Sequence, residues 1–500
     1  HIQKQSALLH NAQITTIDSF SLFLIRNHFN EIGLDPDFRV ADEGEIKLLQ
    51  QEVLGQLLED AYAGKFVPDD VPTSRENRDR EDPSREARER FHACVEYFCP
   101  GGRESVLEQH ILNLSRYAGS FPWPAEWLEE RKNDYAAGDL DALLHSDYGQ
   151  YLAERVSRVL QGCLEKLVEV KKLCELPDGP YMYGELTEAE SEQLERLAAC
   201  KDLKEQAAKV PAVTFGRLSS KKDESVDPAK RELAKSIRNS VKDTLADLTE
   251  QYFKTPLELV VEQGKACREP LRMLLNLVLE FDRRLLAAKQ ERHLIDFSDM
   301  EHYALQILLK REKVEETGDA GTDSTGDTGM DSTGVKYDIV PSDVALEYRQ
   351  YFQEILIDEY QDSNLVQEMI TNLVAGWADK RKNIFMVGDV KQSIYRFRLA
   401  RPELFMEKYH RYSLEDSEEQ RIDLHKNFRS RGTVLSSVNY LFRQIMGEDL
   451  GGITYEDENA LYTGASFPER ADGKEPETEV LLIEKDGEEL EEQGNQTVQE

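Results

Sequence analysis

Ile355-Leu356-Ile357-Asp358-Glu359-Tyr360-Gln361-Asp362 decides the fold: an unbroken apolar run closes on two adjacent carboxylates. A second such run, Ile384-Phe385-Met386-Val387, closes on Gly388-Asp389 and continues as Val390-Lys391-Gln392-Ser393-Ile394-Tyr395-Arg396-Phe397-Arg398. Runs that are apolar at every position suit central strands of a parallel sheet covered on both faces. Such sheets bind ligands at the C-terminal ends of their strands. An acid pair at that edge suits nucleotide hydrolysis, in which one carboxylate holds Mg²⁺ and another orients or deprotonates water. Standing alone, the pair reads equally well as a solvated turn.

The segments that follow carry further chemistry. An amide just past a strand, Gln392, can sense a γ-phosphate. Tyr395, Phe397 and Arg398 supply stacking faces and a cation, the mixture that single-stranded bases require; an amphipathic turn with its aromatics in the core is the alternative. In Leu424-His425-Lys426-Asn427-Phe428-Arg429-Ser430, Arg429 can complete a phosphate site as an arginine finger does, or be an ordinary surface arginine.

The 500 residues suggest about three domains at roughly 150 residues each. Ninety-seven acids against 62 bases leave a net charge of −35, a field that repels polyanions unless basic groups gather locally. Six cysteines show neither a CxxC pair nor the spacing of a zinc site, so free thiols in a reducing cytoplasm are expected. No apolar run reaches the roughly 18 residues of a membrane span, and residues 1–20 lack the pattern of a signal peptide. The chain begins at His1 and ends in an acidic tail after the strand-like Glu479-Val480-Leu481-Leu482-Ile483, the look of a fragment.

Near the start, Ala12–Ile17 reads as a short strand, followed by a helix from Phe20 to Ile32 capped by Asp18 or Ser19 and ended by Gly33. Amphipathic helices are then expected over Glu45–Tyr62, Ala87–Phe98, Glu104–Tyr117, Tyr151–Leu173, Thr187–Ala208 and Pro270–Lys289. The repetitive Thr317–Gly334, with Asp323-Ser324-Thr325-Gly326 echoed by Asp331-Ser332-Thr333-Gly334, is too poor in apolar groups to order itself. No single crossover needs about 300 residues, so if Asp18 and Asp358 serve one sheet, a domain is inserted between them.

Together these segments resemble the UvrD/PcrA/Rep-like superfamily 1 helicases. Asp358–Asn364 is similar to motif II, Val387–Arg398 to motif III and Asn427–Ser430 to motif IV. Thr15-Thr16-Ile17-Asp18-Ser19-Phe20 resembles the early DNA-contacting motif, with Asp18 in place of the usual histidine. Asp296-Phe297-Ser298-Asp299 resembles the element that precedes motif II, or simply starts a capped helix. Within the family, Ala12–Phe20, Gly33–Asp42 and Asp389–Phe405 look most like the AddA-type subunits of helicase-nuclease complexes.

The resemblance implies an α/β, P-loop NTPase (RecA-like) parallel-sheet motor domain over residues 1–40 and 291–412, with a disordered insert at about 313–336. It implies a large all-α insertion domain over 41–290 and the start of a second RecA-like domain over 413–500. ATP and Mg²⁺ are the implied cofactors: Asp358 ligates the metal, Glu359 activates water, and Gln392 and Arg429 contact the γ-phosphate. Thr16, Ser19, Tyr395, Phe397 and Arg398 are the implied DNA contacts, with Phe397 where relatives commonly carry a stacking Trp. Implied partners are single-stranded and duplex DNA and an AddB-like subunit, with no membrane.

No G-x-x-x-x-G-K-[ST] loop occurs in the sequence. The family pattern places it upstream of Ile14, so these 500 residues alone are expected to bind ATP poorly. A separate basic set, Arg217, Lys221, Lys222, Lys230, Arg231, Lys235, Arg238 and Lys242, includes four residues at i, i+4, i+7 and i+11 from Arg231. That face either tracks phosphates or is a salt-bridged helix. The activity these features support is ATP-driven movement on single-stranded DNA; a helicase-derived scaffold without turnover is the alternative.

Overall fold

The computed structural model describes residues 12–70, 83–134, 138–221, 223–313, 328–330, 336–376, 382–447, 453–468 and 478–481. The chain divides into two compact units, His1–Pro36, Phe297–Gly329 and Tyr337–Glu500 in one, Asp37–Asp296 and Met330–Lys336 in the other. No helix among the described residues is long and apolar enough to cross a membrane.

The first described element is helix α1, Ile17–His28. Thr16, with extended backbone, caps it by accepting the Ser19 N–H on its hydroxyl. The strand expected over Ala12–Ile17 is therefore absent: the cap stops extended pairing before it starts, and Ile14 lies 81% exposed. A 3₁₀ turn over Phe29–Ile32 ends at Gly33, whose φ of 63° few other residues adopt readily.

The second unit opens with strand β1, Arg39–Val40, and is otherwise almost wholly helical: α2 Glu43–Tyr62, α3 Pro83–Phe98, α4 Ser105–Ala118, α5 Pro124–Asp134, α6 Leu140–His145, α7 Asp147–Glu175, α8 Gly184–Ala198, α9 Leu203–Lys209, α10 Pro228–Leu248 and α11 Leu257–Glu291. The single helix expected over Thr187–Ala208 is two, because Asp202 accepts the Glu205 N–H and starts a new helix. Strand β2, Leu294–Ile295, returns to pair in parallel with β1.

Two apolar cores hold this unit. In one, Leu49, Leu57, Phe91 and Ile111 pack against Leu277, Val278 and Phe281 of α11. In the other, Val156, Leu160 and Leu167 of α7 meet Leu194, Val241, Leu245 and Leu257. Helix α11 thus contributes to both cores, with Pro270 within it.

The basic stripe on α10 does not form an open phosphate-tracking face. Arg238 is 3% exposed and forks onto Glu190, 5% exposed, with Nε–Oε2 at 2.8 Å and Nη2–Oε1 at 2.5 Å. It also donates to the Gly216 carbonyl at 2.7 Å, while Gly216 N–H donates to Glu190 at 3.0 Å. Arg231 donates to the Tyr183 hydroxyl, Lys235 pairs with Glu232 and Lys230 with Asp178. Lys222 lies outside the described residues.

The chain then re-enters the first unit as α12, Phe297–Leu308, which begins within the Asp296–Asp299 element. A three-stranded sheet follows from β3 Leu309–Lys313, β4 Thr328–Met330 and β5 Lys336–Pro341, with β5 central and antiparallel to β3. Thr328–Met330, inside the segment expected to lack order, is thus strand, while 314–327 and 331–335 lie outside the described residues.

Next come α13 Asp343–Tyr351, β6 Ile355–Ile357, α14 Leu365–Val374, β7 Ile384–Met386 and α15 Pro402–Arg411. Strand β8 Lys426–Asn427, helix α16 Gly432–Ile445 and strand β9 Tyr462–Thr463 follow, with β8 and β9 parallel. The unit's core joins Leu24 of α1, Leu305 and Leu308 of α12, Ala345 of α13 and Val366, Ile370 and Val374 of α14.

Strands β6 and β7 pair in parallel with Ile355, Leu356 and Ile357 opposite Ile384, Phe385 and Met386. Their alternate residues Leu356 and Phe385 are 71% and 56% exposed, so the expected covering of both faces is not met among the described residues. Side chains alternate across a strand, and Ile355 packs on the core cluster while the Leu356 and Phe385 face stays open.

Removing Arg238 strands a buried carboxylate. Arg238→Ala should lower stability by about 3–5 kcal/mol, measured by chemical denaturation; a loss near zero would show that Glu190 finds other partners.

Candidate active site

Parallel pairing of β6 with β7 brings two chain segments to one sheet edge. Asp358 and Glu359 leave β6, Gly388 and Asp389 follow β7, and the Tyr360 N–H donates to the Val387 carbonyl at 2.9 Å across the pair. A cavity of about 520 Å³ opens there, lined by Asp358, Glu359, Asp389, Lys391 and Gln392, with Lys408, Arg421 and His425 farther along.

Glu359 sits at φ 51° and ψ 42°, in the left-handed region. A non-glycine residue there costs on the order of 1–3 kcal/mol and persists only where its surroundings enforce it. Here its N–H donates to Asp358 Oδ1 at 3.0 Å, and its carbonyl accepts the Asp362 N–H at 2.9 Å. Its carboxylate accepts a hydrogen bond from Gln361 Nε2 at 2.7 Å. Burial first, and then the Glu359 charge, push the Asp362 carboxyl above its ordinary range.

The loop after β7 is organised by Asp389. Its carboxylate accepts the Lys391 N–H at 3.1 Å and Gln392 Nε2 at 3.0 Å, and pairs with Lys391 Nζ at 2.8 Å. Lys408 binds Glu368 at 2.6 Å and lies over the Tyr360 ring, while Arg421 stacks 3.9 Å above Tyr409 and pairs with Asp423. The cations lining the cavity therefore already face acids, and Asp358 and Glu359 stand as the acid pair at its rim.

Beyond Gln392, the Ile394 N–H donates to the Gln392 carbonyl and the chain presents Tyr395 and Phe397, 38% and 67% exposed. Their rings lie 6.0 Å apart, and the Arg398 guanidinium sits 5.2 Å from one centroid and 5.6 Å from the other. Exposed aromatic faces joined by a cation make a stacking platform.

The structure thus gathers Asp358, Glu359 and Gln392 on one cavity and joins Tyr395, Phe397 and Arg398 beside it. Arg429 is not brought to that lining; it lies exposed in the turn after β8, its N–H donating to Asn427 Oδ1. Thr16 and Ser19 sit at the α1 cap, where Thr16 also donates its hydroxyl to Ser19 Oγ at 2.9 Å.

Sequence reasoning missed Gln361, 1% exposed, and Asp389, both of which position the named residues. An amide beside the acid pair was the one signal that consecutive residues offered. It missed Glu301 too, 8% exposed on α12, which accepts Asn364 Nδ2 at 3.0 Å and Gln367 Nε2 at 2.7 Å. Those amides form the capping box that starts α14 immediately after the acid pair's turn.

One Asp carboxylate at the C-terminal edge of a parallel strand pair fits Mg²⁺, which typically takes one or two carboxylates and completes its shell with phosphate oxygens and water. No cluster of three metal-ligating side chains occurs among the described residues.

The family model described as UvrD/REP helicase N-terminal domain matches residues 1–413. A protein of Lachnoclostridium phytofermentans named as an ATP-dependent helicase/nuclease subunit is 40% identical over 94% of this chain and 31% of its own length. Proteins of the same name from Bacillus licheniformis and Clostridium beijerinckii are 36% and 34% identical, over 97% and 94% of this chain and 36% and 34% of their lengths. The chain therefore spans about a third of the length of these curated relatives.

Burial pushes the Glu301 carboxyl above its ordinary range, against the two amide donors, and the nearby Asp18 adds to the rise. The folded state then holds this proton more tightly than the unfolded chain. Its contribution to stability is complete below the ordinary glutamate range and declines as pH rises through the raised value. Glu301→Gln should flatten that part of the stability curve, read by denaturation from acidic to neutral pH; an unchanged slope would exclude Glu301 as its source.

Proposed function

Because the chain belongs to the UvrD/REP helicase family, we propose that its natural full-length protein is an ATP-dependent DNA helicase or translocase subunit. In this reading it moves on single-stranded DNA, and acts on duplex ends in a bacterial cytoplasmic helicase-nuclease complex for double-strand-break repair, beside an AddB-like partner. The observation that carries the reading is the continuity of the site: the acid pair and Gln392 share one cavity, and the segment leaving Gln392 ends in the exposed Tyr395, Phe397 and Arg398 platform.

Asp358 would hold Mg²⁺, and Glu359 would orient and deprotonate the attacking water. When bound with ATP, the ion supplies positive charge to the phosphates. Gln392, held by Asp389, would contact the γ-phosphate, and its occupancy would be felt by the platform that follows it. Arg429 would enter the nucleotide site from residues 413–500, read as the start of a second motor domain, when that domain closes on the first. Thr16 and Ser19, exposed at the α1 cap, would meet the DNA backbone. The platform also answers the net charge of −35, because stacking on aromatic faces does not depend on the global field.

Glu359→Gln in the full natural chain should keep ATP and DNA binding and lose turnover; retention of more than about a tenth of the rate would remove Glu359 from the water-activating role. No hydrolysis by the wild-type chain, with or without single-stranded DNA, would favour a scaffold instead. Phe397→Ala should weaken single-strand binding by about 1–3 kcal/mol, measured by fluorescence anisotropy. Unchanged affinity would take Phe397 out of the platform.

A further inference from the structure

Gln361 uses both ends of one buried amide to tie together two loops that approach only through the parallel pairing of β6 and β7. Its Nε2 donates to Glu359 Oε2 at 2.7 Å, and its Oε1 accepts the Asp389 N–H at 2.9 Å. The side chain is 1% exposed, so water does not substitute freely for either bond. Gly388 leaves room for it: a Cβ there would stand 2.6 Å from Gln361 Oε1 and 3.0 Å from the Phe405 ring.

The bonds continue on both sides. Asp389 holds Gln392 through its carboxylate at 3.0 Å, and the Gln392 carbonyl accepts the Ile394 N–H at 2.8 Å, one residue before Tyr395. Toward β6, the same amide steadies a carboxylate on left-handed backbone, a conformation that needs outside support. A shift of the loop after β7 therefore pulls on the amide oxygen, and a rigid planar amide passes that shift to the Glu359 carboxylate.

We propose that Gln361 is a positioning residue that couples occupancy of the Tyr395 and Phe397 platform to the water-orienting Glu359, so that single-stranded DNA accelerates ATP turnover through this one side chain. The proposal rests on the helicase reading above and adds to it a route of communication. Gln361 touches neither nucleotide nor DNA in this scheme; it sets where Glu359 points.

The test uses Gln361→Met in the full natural chain, because methionine nearly fills the same volume and makes neither bond. Expected is a fall of about tenfold or more in the stimulation of kcat by single-stranded DNA, with KM for ATP and Kd for DNA within about threefold of wild type. Gly388→Ala, which displaces the Gln361 oxygen from the other side, should reproduce this split and serves if the first variant does not fold. Stimulation within about twofold of wild type in either folded variant overturns the coupling role, as does a KM that rises in step with the loss of kcat. A wild-type chain with no DNA-stimulated hydrolysis instead overturns the helicase reading, so the two failures are told apart.

Discussion

Parallel pairing of Ile355–Ile357 with Ile384–Met386 is the constraint on which the site depends. Two parallel strands end on the same edge, so whatever follows each of them is delivered to one place. Asp358-Glu359 and Gly388-Asp389 are separated in sequence by an entire helix, α14, yet become neighbours because of that register. An antiparallel pairing of the same residues would send the two ends to opposite edges and leave no shared cavity.

The edge is then fixed by buried polar groups rather than by apolar packing alone. Glu301 receives the Asn364 and Gln367 amides, Tyr360 bonds to Glu368, and Lys408 bonds to the same carboxylate while lying over the Tyr360 ring. Each such group costs free energy to bury, and each is compensated only by a partner in the correct place. That dependence makes the arrangement specific: the left-handed Glu359 is tolerated because its N–H, its carbonyl and its carboxylate are all engaged. Strain concentrated at the acid pair is thus offset by hydrogen bonds supplied from the adjoining turn.

Charge in this chain is organised locally. In the stripe that looks most like a phosphate track, Arg231, Lys235 and Arg238 are occupied with internal partners, Arg238 closing a buried ion pair with Glu190, and Lys242 lies exposed. By contrast, the cation beside the exposed rings, Arg398, is shared between two aromatic faces. Helical spacing alone cannot separate these cases, because it says which residues share a face of one helix but not what the rest of the chain packs against that face.

By itself the sequence determined the parts that depend on local chemistry. The apolar runs named the strands β6 and β7, the acids and Gln392 after them are residues that share one cavity, and the periodic segments named most helices of the second unit. These were legible because strand and helix periods and end-of-strand chemistry are written in consecutive residues. Tertiary structure decided the rest. Thr16 acts as a cap where a strand was expected, the Leu356 and Phe385 face is open, Arg238 turns inward, and Arg429 lies off the cavity lining. Gln361 joins Glu359 to Asp389 across the strand pair, a role its position beside the acid pair could not reveal. The reason is common to all of these: a hydrogen bond or a covered face between residues far apart in sequence depends on where the backbone returns, which no local pattern encodes.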